Sequence, residues 1–250
     1  MKVLVISDVH SNVRALEAVE AAEGSFDLVL CVGDLMDWGM FPHETIQWFK
    51  NHNTITVSGN HDRELIALWD SGVREPIGQE TTYLSRCINH MTVEDVDFLR
   101  ALPLDAVVTI DGYTYYLKHA YDESLIPEAL LRAMCDWQSQ PLFEKIWEEK
   151  VGGEYPLGVR RIILGHSHQC WMHMVRGGSL FLNPGSIHYR LSYDTIEPGA
   201  DYIVITDGVP QMKHVSYPTR ELRRRIADAP FDREQIEIAL QLHTPQQTER

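Results

Sequence analysis

Aspartate and histidine recur in this 250-residue chain in five short blocks: Asp8-Val9-His10, Gly33-Asp34, Gly59-Asn60-His61-Asp62, His119 and Gly165-His166-Ser167-His168. Carboxylate, imidazole and amide oxygen form a donor set that suits Mn²⁺, Fe²⁺, Zn²⁺ or Ni²⁺. Cysteine is missing from the set, which argues against thiolate-bound zinc. Glycine precedes three of the blocks, and a residue without Cβ lets the chain turn sharply and bring the next side chain to a rim. Taken singly, the residues have plainer uses. Asp8 and Asp34 would cap the helices that follow them, and His166 and His168 alternate as along a half-exposed strand. Taken together, they describe a metal site. His119 has no local signature and His90 is its rival; His119 is preferred because it ends a predicted strand.

The blocks need elements that carry them to one place. Val3 to Ile6 is a short apolar run, read as a buried strand ending at Ser7-Asp8. Ser11 or Asn12 then caps a helix in which Val13, Leu16, Val19 and Ala22 recur at helical spacing, and Gly24 ends it. Leu28 to Val32 is a second buried strand, broken at Gly33-Asp34; Pro42 opens a helix that continues through Ile46 and Phe49. Thr54 to Val57 is a third strand, stopping at Gly59-Asn60, with another helix expected from near Asp62. This alternation predicts parallel strands covered by helices, with a site beyond the strands' carboxyl ends.

Further along, Thr92 and Asp95 resemble a capping box ahead of Val96, Leu99 and Leu102. Ala106 to Ile110, Asp111-Gly112 and Tyr113 to Leu117 read as a hairpin running into His119. Strand patterns return at Arg161 to Leu164, Cys170 to Val175, Leu180 to Leu182 and Tyr202 to Thr206. The division expected is one domain over residues 1–217, with a helical insert at 121–153 as a candidate cap, and a helical tail at 218–250 packed on the same domain. Trp137, Phe143 and Trp147 in the insert are either core or a base-stacking platform.

In this order the blocks resemble the calcineurin-like metallophosphoesterases, whose pattern runs D-x-H, G-D, G-N-H-D/E, a lone His and G-H-x-H; the match covers residues 8–168. Ser7-Asp8-Val9-His10-Ser11-Asn12, Ala15-Leu16-Glu17-Ala18-Val19 and Asn183-Pro184-Gly185-Ser186 look like the small bacterial and archaeal phosphodiesterase branch, which includes relatives of diadenosine tetraphosphate hydrolases. The resemblance implies an α/β fold, a four-layer αββα sandwich with two central sheets. It also implies two divalent ions, Mn²⁺ first, with Fe, Zn and Ni as alternatives. Asp8, His10, Asp34 and His168 would hold one ion; Asp34, Asn60, His119 and His166 would hold the other, Asp34 bridging. Ions about 3.5–4 Å apart hold a shared hydroxide for in-line attack on phosphorus.

In the family the histidine at the position of His61 faces the substrate, stabilising the transition state or protonating the leaving oxygen, and Asp62 is assigned to hold its tautomer. Arg63, His188 and Arg190 are candidates for contact with substrate phosphate, or else solvated faces; Asp37 either supports a ligand or caps its loop. The implied activity is hydrolysis of a phosphate ester, first a diester of small nucleotide type. A phosphomonoesterase or protein phosphatase, or a dinucleoside polyphosphate hydrolase, would use the same metal core. A silent interaction scaffold is the reading from outside enzymology, and the presence of every expected ligand together with His61 weighs against it.

Composition narrows the partners. With 36 acidic against 22 basic residues the formal charge is −14, a surface that repels a phosphate backbone. Stable nucleic-acid binding is therefore not expected, whereas a small phosphorylated substrate is. Cys31, Cys87, Cys135 and Cys170 form no CxxC pair and read as reduced thiols. No run approaches the roughly 20 apolar residues of a membrane span, and no secretory pattern opens the chain, so no membrane partner and a cytoplasmic location are expected.

Overall fold

The computed structural model describes residues 1–119, 158–174, 178–192 and 195–244. The insert at 121–153, with Cys135, Trp137, Phe143 and Trp147, lies outside them. The alternation at the start is observed as β1 (Lys2–Ile6), α1 (Val13–Glu23), β2 (Leu28–Cys31), α2 (Pro42–Lys50), β3 (Thr54–Thr56) and α3 (Asn60–Ser71). Asn12 supplies the cap of α1, its side chain accepting from the Ala15 amide at 3.4 Å. The helix α3 begins at Asn60, two residues ahead of the expected start, because the Asp62 carboxylate turns back to accept from the Gly59 amide at 2.9 Å.

Two short helices follow, α4 (Tyr83–Asn89) and α5 (Val93–Arg100), then the expected hairpin β4 (Asp105–Ile110) and β5 (Tyr113–Lys118). The chain continues with β6 (Arg161–Leu164), β7 (Cys170–Met174), β8 (Leu180–Pro184), β9 (Arg190–Ser192), β10 (Thr195–Glu197), β11 (Ala200–Thr206) and β12 (Val209–Val215). The tail forms α6 (Arg220–Ala227) and α7 (Arg233–Leu242). No helix among the described residues is long and apolar enough to cross a membrane.

Two five-stranded mixed sheets result, in the orders β12-β11-β1-β2-β3 and β4-β5-β6-β8-β7, beside a two-stranded β9-β10 pair. Pairing of β1 with β2 and of β2 with β3 is parallel, as is that of β5 with β6 and β6 with β8. The period-two alternation of β1 explains the layering. Val3 and Val5 face the second sheet and pack with Leu30, Tyr115, Leu117, Ile163 and Leu182. Leu4 and Ile6 face the helices and pack with Leu16, Val19, Ile46 and Phe49. Each fully buried aliphatic side chain contributes about 1.5–3 kcal/mol relative to exposure. Helices, first sheet and second sheet account for three layers of the expected four among the described residues.

One buried carboxylate ties the helical layer together. Asp95 caps α5 through the Thr92 amide at 2.9 Å and also binds His43 Nδ1 at 2.7 Å and Lys50 Nζ at 3.1 Å. Burial alone would raise its pKa, but the hydrogen bonds from His43, Thr92 and Lys50 hold it down to about 2. The stabilisation is therefore present above the ordinary carboxylate range near 4 and is lost as pH falls through about 2. Replacing Asp95 with alanine is expected to lower the unfolding free energy by about 2 kcal/mol, a lost cap plus unpaired partners. Urea titration at pH 7 and pH 3 checks it: the mutational gap should narrow at the lower pH, and an equal gap at both would rule out the charged form as its source.

Candidate metal centre

The two stacked sheets present the carboxyl ends of their parallel strands to one edge. Past β1 come Asp8 and His10, past β2 Asp34, past β3 Asn60 and His61, past β5 His119, and past β6 His166 and His168. The backbone there is unusual. Asp8, His10, Ser11, Asp34, Asp37, Trp38, His166 and His168 all have φ between 47° and 73°, a region that side chains with Cβ occupy rarely and at a cost. Such a concentration of left-handed residues marks a loop set over-determined by its surroundings. Close approach explains two glycines. A Cβ on Gly59 would sit 2.0 Å from Asp34 Oδ1, and one on Gly165 would sit 2.2 Å from Ser7 Oγ. Gly33 is the turn proper, with φ of 94°.

The five blocks converge into two adjacent clusters. Ligating atoms of Asp8, His10 and His168 lie within 4.8 Å of one another, and so do those of Asp34, His119 and His166. His10 Nε2 is 3.2 Å from His168 Nε2, and His168 Nε2 is 3.2 Å from Asp8 Oδ1. In the second cluster His119 Nε2 lies 3.1 Å from Asp34 Oδ2 and 3.2 Å from Asn60 Oδ1. Backbone carbonyls set the tautomers. His10 Nδ1 donates to the Met36 carbonyl at 3.0 Å and His119 Nδ1 to the Val32 carbonyl at 2.7 Å, which turns each Nε2 into the cluster.

Buried acid–base groups this close need a compensating charge. Asp8 Oδ1 and Asp34 Oδ2 are buried with no hydrogen-bond partner, an arrangement that costs free energy unless a cation or proton sits there. Burial, and then the charge of His168, lower the His10 pKa to about 4. Burial would also lower His119, but the charge of Asp34 outweighs it and raises the pKa to about 9, which favours a proton on the imidazole. A divalent ion competes for that position, which makes ion binding weaken as pH falls. The donor set, its depth and its orphaned carboxylate oxygens fit two divalent ions. Addition of Mn²⁺ at a hundredfold excess over Kd is expected to stabilise the fold by about 2.7 kcal/mol, roughly 5–10 °C in Tm for a chain of this size. Differential scanning fluorimetry with EDTA as control reads it; no shift with Mn²⁺, Fe²⁺, Zn²⁺ or Ni²⁺ would count against the site.

His61 stands at the rim of both clusters, its ring 5.1 Å from that of His10 and set edge-on. Its backbone amide donates to Asp34 Oδ1 at 3.0 Å, and Nδ1 lies 2.8 Å from Asp37 Oδ2. Burial lowers its pKa, yet the hydrogen bond to Asp37 and the charge of Asp34 raise it to about 9. The expectation that Asp62 orients His61 is corrected. Asp62 is wholly buried and accepts from the amides of Leu35, Met36 and Gly59 at 2.9–3.1 Å, clamping the Asp34 loop to the start of α3. Burial and the neighbouring charge of Asp34 raise its pKa to about 6. Asp37, left open between two roles in the sequence, is the carboxylate on His61.

The substrate-contact candidates fare differently. Arg63 is half-buried in the first turn of α3. His188 is buried behind His10, with Asn12 Nδ2 3.3 Å from Nδ1 and His243 Nε2 3.2 Å from Nε2, so it braces the ligand loop and is not open to phosphate. Arg190 opens β9 and pairs with Glu197 along the backbone. Asn183 holds the loop of His166 and His168, donating at 3.0 Å to the Gly165 carbonyl and to Ser167 Oγ. His90 lies away from the clusters, 3.8 Å from Glu80. Trp38 was not anticipated. Its ring stacks on His10 at 5.2 Å and runs parallel to Tyr189 at 6.4 Å; the sequence signal available was an aromatic four residues after Asp34, with Asp37 adjoining it.

Comparison with known proteins agrees with this geometry. A family model described as the calcineurin-like phosphoesterase superfamily domain matches residues 1–204. An uncharacterized protein of Methanocaldococcus jannaschii is 25% identical over 235 residues, covering 92% of this chain and 88% of its own length. Among solved structures, a metallophosphoesterase from Sphaerobacter thermophilus superposes with a TM-score of 0.67 at 19% identity, covering 96% of this chain and 99% of that one. A hypothetical protein from Pyrococcus horikoshii OT3 superposes with a TM-score of 0.68 at 17% identity, covering 95% and 97%.

Proposed function

The chain belongs to the calcineurin-like phosphoesterase superfamily and is a metal-dependent phosphoesterase; on that premise we propose that it cleaves phosphodiesters of small nucleotide-type molecules with two divalent ions. The observation that carries the reading is the juxtaposition of two metal-fit clusters with one imidazole, His61, held by its own carboxylate at the rim. Asp8, His10 and His168 would hold one ion and Asn60, His119 and His166 the other, with Asp34 shared. We assign Mn²⁺ first, ahead of Fe, Zn and Ni. When bound, such ions supply Lewis acidity and a nucleophile drawn from water near neutral pH.

The protein's own groups do the rest. The carbonyls of Met36 and Val32 keep the ligand rings in one tautomer. Asp37 fixes His61 through Nδ1, leaving the proton on Nε2 for the oxygen that departs from phosphorus. A diester needs that proton more than an activated ester does, because an alkoxide is a poor leaving group. The charge of −14 favours a small substrate over a polyanion.

Metal-stripped protein restored with Mn²⁺ tests the proposal on bis-p-nitrophenyl phosphate against p-nitrophenyl phosphate. Faster turnover of the diester, lost on stripping, is expected. Preference for the monoester would reassign the protein as a phosphatase. No turnover of either with both ions bound would overturn the enzymatic proposal.

A further inference from the structure

A cavity of about 210 Å³ lies beside the metal centre, under α7. Its walls are Trp38 from the loop after β2, Tyr83 from α4, His188, and one face of α7. Gln235, Ile238, Ala239 and Leu242 follow the i, i+3, i+4, i+7 spacing that places side chains on a single helix face. Two of the walls are shared with the centre. The Trp38 ring stacks on His10, and the His188 ring lies 5.7 Å from that of His10. The cavity therefore begins one ring's width from a candidate ligand.

Its lining tells what would fit. The walls are mostly apolar or aromatic, which excludes a charged group, and the small side chain of Ala239 leaves the middle open. Two polar atoms among the lining residues lack a hydrogen-bond partner, Tyr83 Oη and Gln235 Oε1. Once turned toward the cavity, either atom would gain a partner from an occupant that carries donors and acceptors, as it would not from an aliphatic one. A planar heteroaromatic ring offers stacking surface to Trp38 together with edge donors and acceptors for the hydroxyl and the amide. The volume falls below the about 300–1,000 Å³ of sites that enclose a whole drug-sized ligand, so it suits one ring system with the remainder of the molecule outside.

We propose that this cavity receives the base of a nucleotide-type substrate whose phosphoryl group sits at the metal centre. The inference rests on the phosphoesterase reading and names the part of the substrate that the tail helix recognises. Trp38 is the shared wall between base and reacting group; Gln235 and Tyr83 are the groups that read the ring's edge.

The test is binding, so that it stands apart from turnover. Manganese-loaded protein is titrated calorimetrically with adenosine monophosphate and with ribose 5-phosphate, which differ only in the base. Adenosine monophosphate should bind about tenfold to a hundredfold more tightly, the range of one stacked base. Ile238→Trp fills the cavity from an exposed position, and Gln235→Leu removes the edge contact without adding bulk. Both should erase most of the advantage while leaving the ribose 5-phosphate affinity unchanged. Equal affinity for the two probes in the unsubstituted protein, or an advantage that survives Ile238→Trp, would overturn the proposal. Base-dependent binding without any phosphoesterase turnover would keep the pocket and sink the catalytic reading instead.

Discussion

Replacing Asp34 with asparagine is expected to lower diester hydrolysis about a thousandfold or more, the several kcal/mol that a two-ion site supplies at 1.36 kcal/mol per decade of rate. Asparagine keeps the shape and can still accept from the His61 amide through its oxygen, a bond now 3.0 Å long. What it removes is the charge at Oδ2, the orphaned atom 3.1 Å from His119 Nε2. Its amide nitrogen would face that imidazole and cannot ligate an ion through a proton-bearing nitrogen. The charge of Asp34 also acts on His10 and His61, so both clusters should feel its loss. Metal analysis of the variant should show at least one ion missing.

The same substitution should leave the metal-free fold intact. Asp34 and Asp8 are both buried and each makes the other's ionisation harder, so neutralising one relieves repulsion even as the ion pair with His119 is lost. Metal-free Asp34→Asn should melt within a few degrees of the unsubstituted protein, and the Mn²⁺-induced rise in Tm should shrink. Function and stability separate at such a site because the charges are arranged for a ligand, not for the empty fold. Activity above about a tenth of the original with full metal content would remove Asp34 from the shared position.

The ligand blocks were legible because each ends a strand. An apolar run followed by Gly-Asp or Gly-Asn-His announces both the element and the side chain at its end, and parallel pairing brings those ends together with no further information. The partner of His61 was not legible. Asp62 is next to it in sequence, but successive residues of a helix point about 100° apart and do not face each other, so Asp62 at the third position turned back onto the helix start. Asp37 reaches His61 only because the loop takes left-handed conformations at Asp37 and Trp38, φ of 73° and 52°. Neither residue type advertises that geometry. The tail posed the same problem: its charged helices are readable from Arg220 onward, while the face of α7 that meets Trp38 depends on how α6 and α7 dock. His188 posed a related problem. The sequence left His188 open between a contact with substrate phosphate and a solvated face, whereas Asn12 and His243 bury it as a brace behind His10.

The pair of His61 and Asp37 carries the second large expectation, and it can be separated from metal binding. His61→Asn should slow hydrolysis of alkyl diesters about a hundredfold to ten-thousandfold, the range for a positioned general acid, with both ions retained. The loss should be much smaller for p-nitrophenyl esters, whose leaving group departs without a proton. A ligand or a purely structural residue would slow both substrates alike, so the ratio of the two losses identifies the role.

The pH profile gives an independent reading. His61 is raised to about 9 with Asp37 attached, and the active acid form is lost as pH rises through its folded value. Bound cations push that value downward, so the basic limb of kcat should fall at or below about 9. Asp37→Asn removes the carboxylate that raises His61 against burial. The basic limb should then move to lower pH, while the acidic limb, set by protons competing with ions at His119 and Asp34, stays where it was. A basic limb that ignores Asp37→Asn, or equal losses on alkyl and p-nitrophenyl esters in His61→Asn, would show that His61 donates no proton and serves the negative charge on phosphorus alone.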